Sequence, residues 1–217
     1  FNYYRKNSCP ESYHTRAFRN TPFCAPGELY ANGGLTALTN DTKEKDQLLK
    51  SLGINVNLAP VCDITTNPKD YIYKRTMRKD AKETAECIQT IVNQMRKDTM
   101  GTVLKHFPGY GSNVDTHTGI AIDNRSLDSF RQNDFLPFTA GINAGAKGVM
   151  VNHNIINSID ATCPATLSAL VHSVLRKELK FNGVIMTDDL SMSAITKYTN
   201  GKNAAVSAVL AGNDMLI

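Results

Sequence analysis

The sequence has no apolar run that approaches the length of a membrane span, and its 24 lysines and arginines are dispersed rather than clustered. Nucleic-acid surfaces need clustered basic residues with interleaved aromatic residues, so a nucleic-acid partner is not expected. A membrane span is not expected within this chain either. The first ten residues lack the apolar core of a signal peptide, which leaves both a cytoplasmic and an exported protein open.

Cysteine is scarce, and no two cysteines are close enough in sequence to form a CxxC pair. This spacing argues against a zinc ribbon or a redox motif, and the odd count of five argues against a full disulfide framework. We therefore expect most of the cysteines to be buried free thiols.

Hydrophobic residues make up 41% of the 217 residues, which is enough for the core of one domain. Residues 1–35 suggest no regular element. From Asp41, a candidate helix N-cap, helical and strand patterns alternate along the chain. The predicted helices cover residues 41–52, 81–95, 135–142, 167–179 and 204–210. The predicted strands cover residues 54–61, 102–104, 148–151, 183–186 and 215–217.

This alternation predicts a parallel sheet covered by helices, and both a doubly wound sheet and a barrel fit it. Polar residues favour the barrel, because Asp63, His106, His153 and Asp188 each follow a different predicted strand. The carboxyl ends of barrel strands meet at one mouth, where the active sites of this architecture lie. We predict a (β/α)8-type, TIM-like barrel that is incomplete in this chain, since five strands cannot close it.

A glycine- and proline-rich loop follows the second predicted strand and leads to Asp115, Thr116 and His117. In an extended segment, residues two apart point to the same side, so Asp115 could hold one ring nitrogen of His117. The other nitrogen would then be available for proton transfer near neutral pH. The alternative is a solvated loop histidine.

Two adjacent carboxylates, Asp188 and Asp189, end a buried apolar strand. Neighbouring residues there point in different directions, so one can face the barrel mouth while the other caps the next helix. The alternative is that both are caps.

Three further polar residues have two interpretations each. Arg75, after the strand that ends at Asp63, either clamps the hydroxyls of a polar ligand or forms a structural pair with Asp63. His153 either lines the pocket or is a hydrogen-bonded core histidine. His172 lies off the apolar face of its predicted helix, and we expect it to be exposed.

Four segments stand out in order along the chain: GINVNLAPVCDITTNP, KHFPGYG with DTH, GAKGVMVNHNIINSID with CPATLS, and FNGVIMTDDLSM. Together they resemble glycoside hydrolase family 3 β-N-acetylhexosaminidases, whose signature is Lys-His-Phe/Ile-Pro-Gly-His-Gly, a short spacer and Asp-Ser/Thr-His. The resemblance covers about residues 22–217, and its motifs occur in the family's order.

The resemblance implies a barrel fold and removal of terminal β-linked N-acetylglucosamine, often from peptidoglycan fragments, by a retaining mechanism. It implies that Asp188 is the nucleophile, that His117 is the acid/base and that Asp115 is the partner of His117. It implies no metal and no organic cofactor, and a carbohydrate as the partner.

The resemblance also implies a set of residues around the bound sugar. Arg75, Lys105 and His106 match positions that bind the hydroxyls of N-acetylglucosamine, and His153 matches the active-site histidine of its segment. We therefore expect residues 1–217 to be one family 3 catalytic barrel domain.

The chain departs from the family pattern at several points. Tyr110 stands where the family has the second histidine, and the spacer before Asp115 is one residue shorter than usual. The first-strand block Asp-x-Glu-Gly-Gly is not found, and the last barrel elements are absent after Ile217, so we expect a chain truncated at both ends.

Two rival functions stay open. One is a metal-dependent barrel hydrolase with Asp63, His106, His153 and Asp188 as ligands, since such residues suit zinc or manganese. The other is an incomplete fragment that binds sugar without turnover.

Overall fold

The computed structural model describes residues 3–4, 22–113, 115–116, 119–199 and 203–217. Strands and helices alternate through this part of the chain. The strands are β1 (Tyr3–Tyr4), β2 (Val56–Asn57), β3 (Gly101–Phe107), β4 (Ile122–Asp123), β5 (Gly148–Val151), β6 (Ile155–Ile156) and β7 (Val184–Thr187). The α-helices are α1 (Pro26–Ser51), α2 (Ala81–Lys97), α3 (Leu127–Gln132), α4 (Phe135–Asn143), α5 (Ala169–Ser173), α6 (Ser193–Thr199) and α7 (Ala204–Ala211).

Five of the described strands form one parallel sheet in the order β1-β2-β3-β5-β7. Each new strand adds beside the previous one, without the reversal of order that marks the switch point of a doubly wound sheet. Beyond β7, Met215 forms a parallel bridge to Met186, so the chain continues in the same direction. The predicted TIM-like barrel fold is confirmed by this path.

The two faces of the sheet carry separate apolar clusters, because successive side chains of a strand point to opposite faces. The inner face holds the small cluster Leu58, Val103, Met150 and Met186. The outer face packs its own apolar side chains, such as Leu104 and Val149, against the helices. The carboxyl ends of the parallel strands β2, β3, β5 and β7 therefore lie at one edge, above this small apolar cluster.

The first helix begins much earlier than the sequence predicts. Helix α1 starts at Pro26, and Gly34 inside it has non-helical dihedral angles (φ 58°, ψ −151°), which break it into two parts. Asp41 lies within the helix and forms an ion pair with Lys45, so the predicted N-cap is wrong. Proline in the first turn suits a helix start, and the break at Gly34 interrupts the apolar periodicity.

Two other boundaries differ from the prediction. Strand β3 extends to Phe107, so Lys105 and His106 lie within the strand rather than beyond its end. The predicted strand 54–61 is regular only at Val56–Asn57, although Val61 bridges to Lys105. Pairing with neighbouring strands, which the local pattern does not report, decides both lengths.

His172 is buried, with an exposed fraction of 3%, and the expected exposure is wrong. Its Nδ1 atom bonds to the carbonyl of Ser168 at 2.8 Å. Gly212, directly after α7, lies against the imidazole ring. A distant segment therefore covers a helix face that is polar in the local sequence.

The described cysteines are free thiols, of which Cys62 and Cys87 are buried, Cys163 is partly buried and Cys24 is exposed. Burial raises the pKa of the Cys87 thiol to about 12, and the neighbouring charge of Glu86 acts in the same direction. Among the described helices, none has both the length and the apolarity needed to cross a membrane.

Asp46 on α1 is completely buried and faces Asp98, which follows the last residue of α2. Within the described part of the chain, no donor reaches either carboxyl oxygen of Asp46. The two carboxyl groups can therefore share a hydrogen bond only when one of them keeps its proton. Burial, followed by the charge of Asp98, raises the pKa of Asp46 to about 7, while Lys50 and Lys45 act in the opposite direction.

This raised pKa predicts that Asp46→Asn changes how stability depends on pH. The unfolded chain releases the proton of Asp46 at its ordinary pKa, but the native state holds it up to about pH 7. The wild type therefore loses stability from this group as pH rises from about 4 to about 7, at about 1.4 kcal/mol per unit of pKa difference. The neutral Asn side chain should remove that loss.

Urea unfolding of both proteins at pH 5 and pH 8 measures the difference. We expect Asp46→Asn to gain stability relative to the wild type at pH 8 and to gain much less at pH 5. Glu44→Gln, at an exposed position of the same helix, controls for the change in net charge. A stability difference that is the same at both pH values would contradict this interpretation.

Candidate active site

Polar side chains from four strand ends lie at the carboxyl edge of the sheet. Asp63 follows the β2 segment, by which we mean residues 56–61. His106 belongs to β3, His153 follows β5 and Asp188 follows β7. All four are at least nine-tenths buried. The topology thus brings together the residues that the sequence places at separate strand ends.

Asp63 holds the end of β3 and the loop that follows it. One carboxylate oxygen accepts hydrogen bonds from the backbone N–H of His106 at 3.2 Å and from its Nδ1 at 2.7 Å. The other oxygen accepts the backbone N–H of Tyr110 at 2.8 Å. A buried carboxylate needs such donors to offset its desolvation.

Arg75 reaches the same histidine from the short 3₁₀ turn Tyr73–Arg75. Its guanidinium lies 3.3 Å from Nε2 of His106. Since Asp63 can only accept, Nδ1 of His106 carries the proton and Nε2 accepts from Arg75. Burial lowers the pKa of His106, although the charge of Asp63 acts to raise it, so the ring is neutral. Asp63 and Arg75 hold this ring from its two sides.

Lys105, next to His106 in β3, is also buried, and it pairs with the β2 segment through its backbone. Its N–H donates to the carbonyl of Pro60, and its carbonyl accepts the N–H of Cys62. Lys105, His106 and Arg75 therefore lie together on the β2–β3 side of the barrel mouth.

The two carboxylates after β7 have different partners. Asp188 is 8% exposed, and its backbone N–H donates to the carbonyl of Val151 at 3.0 Å. Its Oδ1 accepts the N–H of Asp189 at 2.9 Å. The carboxylate of Asp189 instead accepts both the N–H and the hydroxyl of Ser191, at 2.9 and 2.6 Å. Asp189 thus closes a local turn, whereas Asp188 stays at the end of the strand.

His153 supports that turn from β5. The ring is fully buried, with Nδ1 2.9 Å from the Thr166 hydroxyl and Nε2 2.9 Å from the carbonyl oxygen of Asp189. A carbonyl only accepts, so Nε2 carries the proton. Burial lowers the pKa of His153 even though Asp188 is nearby, which indicates a neutral imidazole. Both of its nitrogens are therefore engaged by the protein.

The loop after β3 brings Asp115 and Thr116 back towards this edge. Asp115 is partly buried, and hydrogen bonding connects it with the Tyr71 side chain. Thr116 is buried, and its N–H donates to the Tyr110 hydroxyl at 2.9 Å. His117, the predicted acid/base, lies outside the described residues.

A charged cluster beneath this loop was missed by the sequence interpretation. The Arg125 guanidinium forms ion pairs with Asp123 and Asp134, both at 2.8 Å. It also donates to the carbonyl of Gly109. No sequence motif indicated this cluster, because an Arg two residues after an Asp is common in loops and Asp134 belongs to another element.

The alternative function, a metal-dependent hydrolase, requires that the residues at the strand ends direct their ligand atoms towards one point. Among the described ranges, no group of three or more His, Cys, Asp or Glu residues is arranged to hold a metal ion. His106 and His153 both use their two ring nitrogens within the protein. The geometry of these side chains therefore does not favour a metal centre.

Gly109 makes the contact between the loop and the charged cluster possible. It has a φ of +131°, and a Cβ atom at this position would overlap with the Asp134 carboxyl group. We predict that Gly109→Ala destabilises the protein by about 1–3 kcal/mol, as for residues forced into rare backbone regions. Gly119→Ala on the same loop is the matched control, because an added Cβ there meets no atom of the described residues within 4 Å.

Thermal unfolding of the two variants measures this effect. Gly109→Ala should lower Tm by several degrees, while Gly119→Ala should stay close to the wild type. Equal Tm values for both variants would show that the loop does not depend on its contact with Asp134.

Comparisons with known proteins identify the family of this chain. The model of the glycosyl hydrolase family 3 N-terminal domain matches residues 13–217. A β-hexosaminidase of Stenotrophomonas maltophilia (strain K279a) is 38% identical over 172 residues, which cover 78% of this chain and 50% of that protein. One from Methylococcus capsulatus is 30% identical over 200 residues, which cover 92% of this chain and 60% of the relative. The chain thus spans about half to three fifths of the length of these curated relatives.

Solved structures give the same result. A family 3 β-N-acetylglucosaminidase from Paenibacillus sp. superposes with a TM-score of 0.83 at 31% identity, over 89% of this chain and 38% of that one. A β-N-acetylhexosaminidase from Beutenbergia cavernae superposes with a TM-score of 0.77 at 30% identity, over 91% of this chain and 60% of that one. The barrel fold, the order of the motifs and the family match agree, and the chain belongs to glycosyl hydrolase family 3 through its N-terminal domain.

Proposed function

We propose that the protein is a retaining β-N-acetylhexosaminidase that removes terminal β-linked N-acetylglucosamine through a glycosyl-aspartate intermediate. The observation that carries this proposal is the position of Asp188, a buried carboxylate at the end of β7, on the edge that also holds Asp63, His106 and Arg75. Family membership and relatives named β-hexosaminidases support it.

In the first step, Asp188 attacks the anomeric carbon of the sugar, and the bond from that carbon to the glycosidic oxygen breaks. Protonated His117 gives its proton to the leaving oxygen, so the leaving group departs as an alcohol. A retaining enzyme needs this pair on opposite faces of the sugar. Asp188 suits the nucleophilic role because its turn is held by two backbone contacts and by His153.

In the second step, water attacks the anomeric carbon of the glycosyl-aspartate. Neutral His117 takes the proton of that water, and the bond to Asp188 breaks, which restores the free carboxylate. A neutral base has an advantage here, since it places no second anion beside the covalent ester. Asp115 would orient His117 and stabilise its protonated form.

We assign recognition of the sugar to the β2–β3 side of the mouth. Arg75 and Lys105 supply charged donors for hydroxyl groups, and His106 is held between Asp63 and Arg75. Positioning of this kind lowers the barrier by fixing the sugar before reaction. His153 uses both ring nitrogens within the protein, so it would contribute to the sugar site chiefly by holding the Asp188–Asp189 turn.

The natural substrate class in this proposal is an oligosaccharide of the peptidoglycan or chitin type. No metal or organic cofactor takes part in the chemistry proposed. The rival function, a fragment that binds sugar without turnover, keeps the same pocket but lacks the two steps above. Loss of Asp188 separates the two, because binding does not require a nucleophile.

We predict that Asp188→Asn lowers the turnover of an aryl β-N-acetylglucosaminide by roughly a thousandfold or more, as expected for loss of a covalent nucleophile. Asp189→Asn is the matched control, because its side chain bonds to Ser191 within the local turn. That variant should keep activity within about tenfold of the wild type. Release of the aryl alcohol is the measurement.

The contrary pattern would be an inactive Asp189→Asn and a nearly normal Asp188→Asn, which would move the nucleophile to the other carboxylate. A wild-type protein that binds N-acetylglucosamine but releases no aryl alcohol would favour the binding fragment.

A further inference from the structure

Two tyrosines connect the sugar-binding side of the mouth with the loop of Asp115. The rings of Tyr71 and Tyr110 pack against each other, with centroids 5.8 Å apart and an interplanar angle of 42°. Tyr110 is 4% exposed, whereas Tyr71 is 41% exposed. Neither tyrosine has a role in the chemistry proposed above, and Tyr110 stands where the family signature has a histidine.

Tyr110 bonds at both of its ends. Its backbone N–H donates to Asp63 at 2.8 Å, which ties it to the site beside His106. Its hydroxyl accepts the N–H of Thr116 at 2.9 Å and lies 3.2 Å from the Thr116 hydroxyl. The phenol therefore spans the distance from the buried carboxylate to the residue that follows Asp115.

Tyr71 makes the second connection. Its side chain has hydrogen-bonding contacts with the Asp115 carboxylate and with the Arg75 guanidinium. A phenol hydroxyl donates to a carboxylate and accepts from a guanidinium, so one oxygen can serve both partners. The pKa of Tyr71 is raised, first by partial burial and then by the charge of Asp115, while Arg75 acts in the opposite direction.

These contacts close a ring around the mouth. Arg75 bonds to His106, His106 to Asp63 and Asp63 to Tyr110. Tyr110 then bonds to Thr116. Asp115, which precedes Thr116, interacts with Tyr71, and Tyr71 interacts in turn with Arg75. Every member of the ring is fixed by two others.

We propose that Tyr71 and Tyr110 are positioning residues that hold the Asp115-Thr116 segment in register with Arg75 and His106 on the β2–β3 side of the mouth. Their catalytic consequence rests on the proposed function, in which Asp115 orients the acid/base His117. Tyr71 would thus fix the position of Asp115 before a sugar binds to Arg75.

The exposure of Tyr71 allows this role to be tested without damage to the core. Tyr71→Phe keeps the ring contact with Tyr110 and removes the hydroxyl that meets Asp115 and Arg75. Tyr73→Phe is the matched control, because Tyr73 lies two residues away and packs its ring below the Arg78 guanidinium, 4.9 Å from the ring centroid. Tyr110→Phe removes the other hydroxyl and should act like Tyr71→Phe.

The first measurement is amide hydrogen exchange at Thr116, which requires no turnover. Tyr71→Phe and Tyr110→Phe should each raise this exchange by about tenfold, as local opening becomes easier. Tyr73→Phe should leave it at the wild-type rate. Unchanged exchange in both Tyr71→Phe and Tyr110→Phe would overturn the proposal.

The second measurement compares phenyl and 2,4-dinitrophenyl β-N-acetylglucosaminides. The dinitrophenolate needs little protonation to leave, so a misplaced acid affects it least. Tyr71→Phe should lower kcat/KM for the phenyl glycoside by about 10- to 100-fold, a part of the roughly 10²–10⁴-fold that general acid catalysis contributes, and should change kcat/KM for the dinitrophenyl glycoside by less than about threefold. Equal losses on both substrates would contradict a positioning role.

The two measurements distinguish failure of the proposed function from failure of the proposed role of the tyrosines. If the wild type hydrolyses neither glycoside, the hexosaminidase proposal is wrong, and exchange at Thr116 alone decides whether the tyrosines hold the loop.

Discussion

The buried carboxylate of Asp63 is the contact on which the rest of the site depends. It accepts the backbone and ring N–H groups of His106 and the backbone N–H of Tyr110, so it fixes the end of β3 and the start of the following loop at once. A buried anion is costly without such donors, and its removal would leave them unpaired. Through His106 the constraint reaches Arg75, and through Tyr110 it reaches Thr116. The residues proposed for sugar recognition and the loop after β3 therefore share one anchor.

The barrel topology brings this anchor close to the proposed nucleophile. Strands β3, β5 and β7 are neighbours in the sheet, so the residues that follow them lie along one edge over the apolar interior. On the β7 side, His153 and the β5 backbone hold the Asp188–Asp189 turn, much as Asp63 holds the β3 side. Burial favours the neutral form of both histidines, which suits hydrogen-bonding rather than charged roles.

Much of this arrangement could be predicted from the sequence, for identifiable reasons. Strand 148–151 was found with the predicted bounds, and Asp188 was found at a strand end, because polar residues after short apolar runs mark where strands stop. Longer-range features could not be predicted. Helix α1 was missed before Asp41 because Gly34 interrupts its pattern, and His172 is covered by a segment forty residues away. The Arg125 cluster and the contacts of Tyr71 join separate elements, and no local pattern reports them.

The central claim is that Asp188 forms a covalent bond with the sugar at this edge of the barrel. A 5-fluoro-N-acetylglucosaminyl fluoride, which slows release of the intermediate more than its formation, should label the protein in a stable form. Peptide mapping by mass spectrometry then locates the sugar. The account predicts one N-acetylglucosaminyl-derived mass on the peptide that contains Asp188 and Asp189, with fragmentation that assigns it to Asp188. A label on Asp189, Asp115 or Asp63, or rapid turnover of the reagent with no covalent adduct, would contradict it.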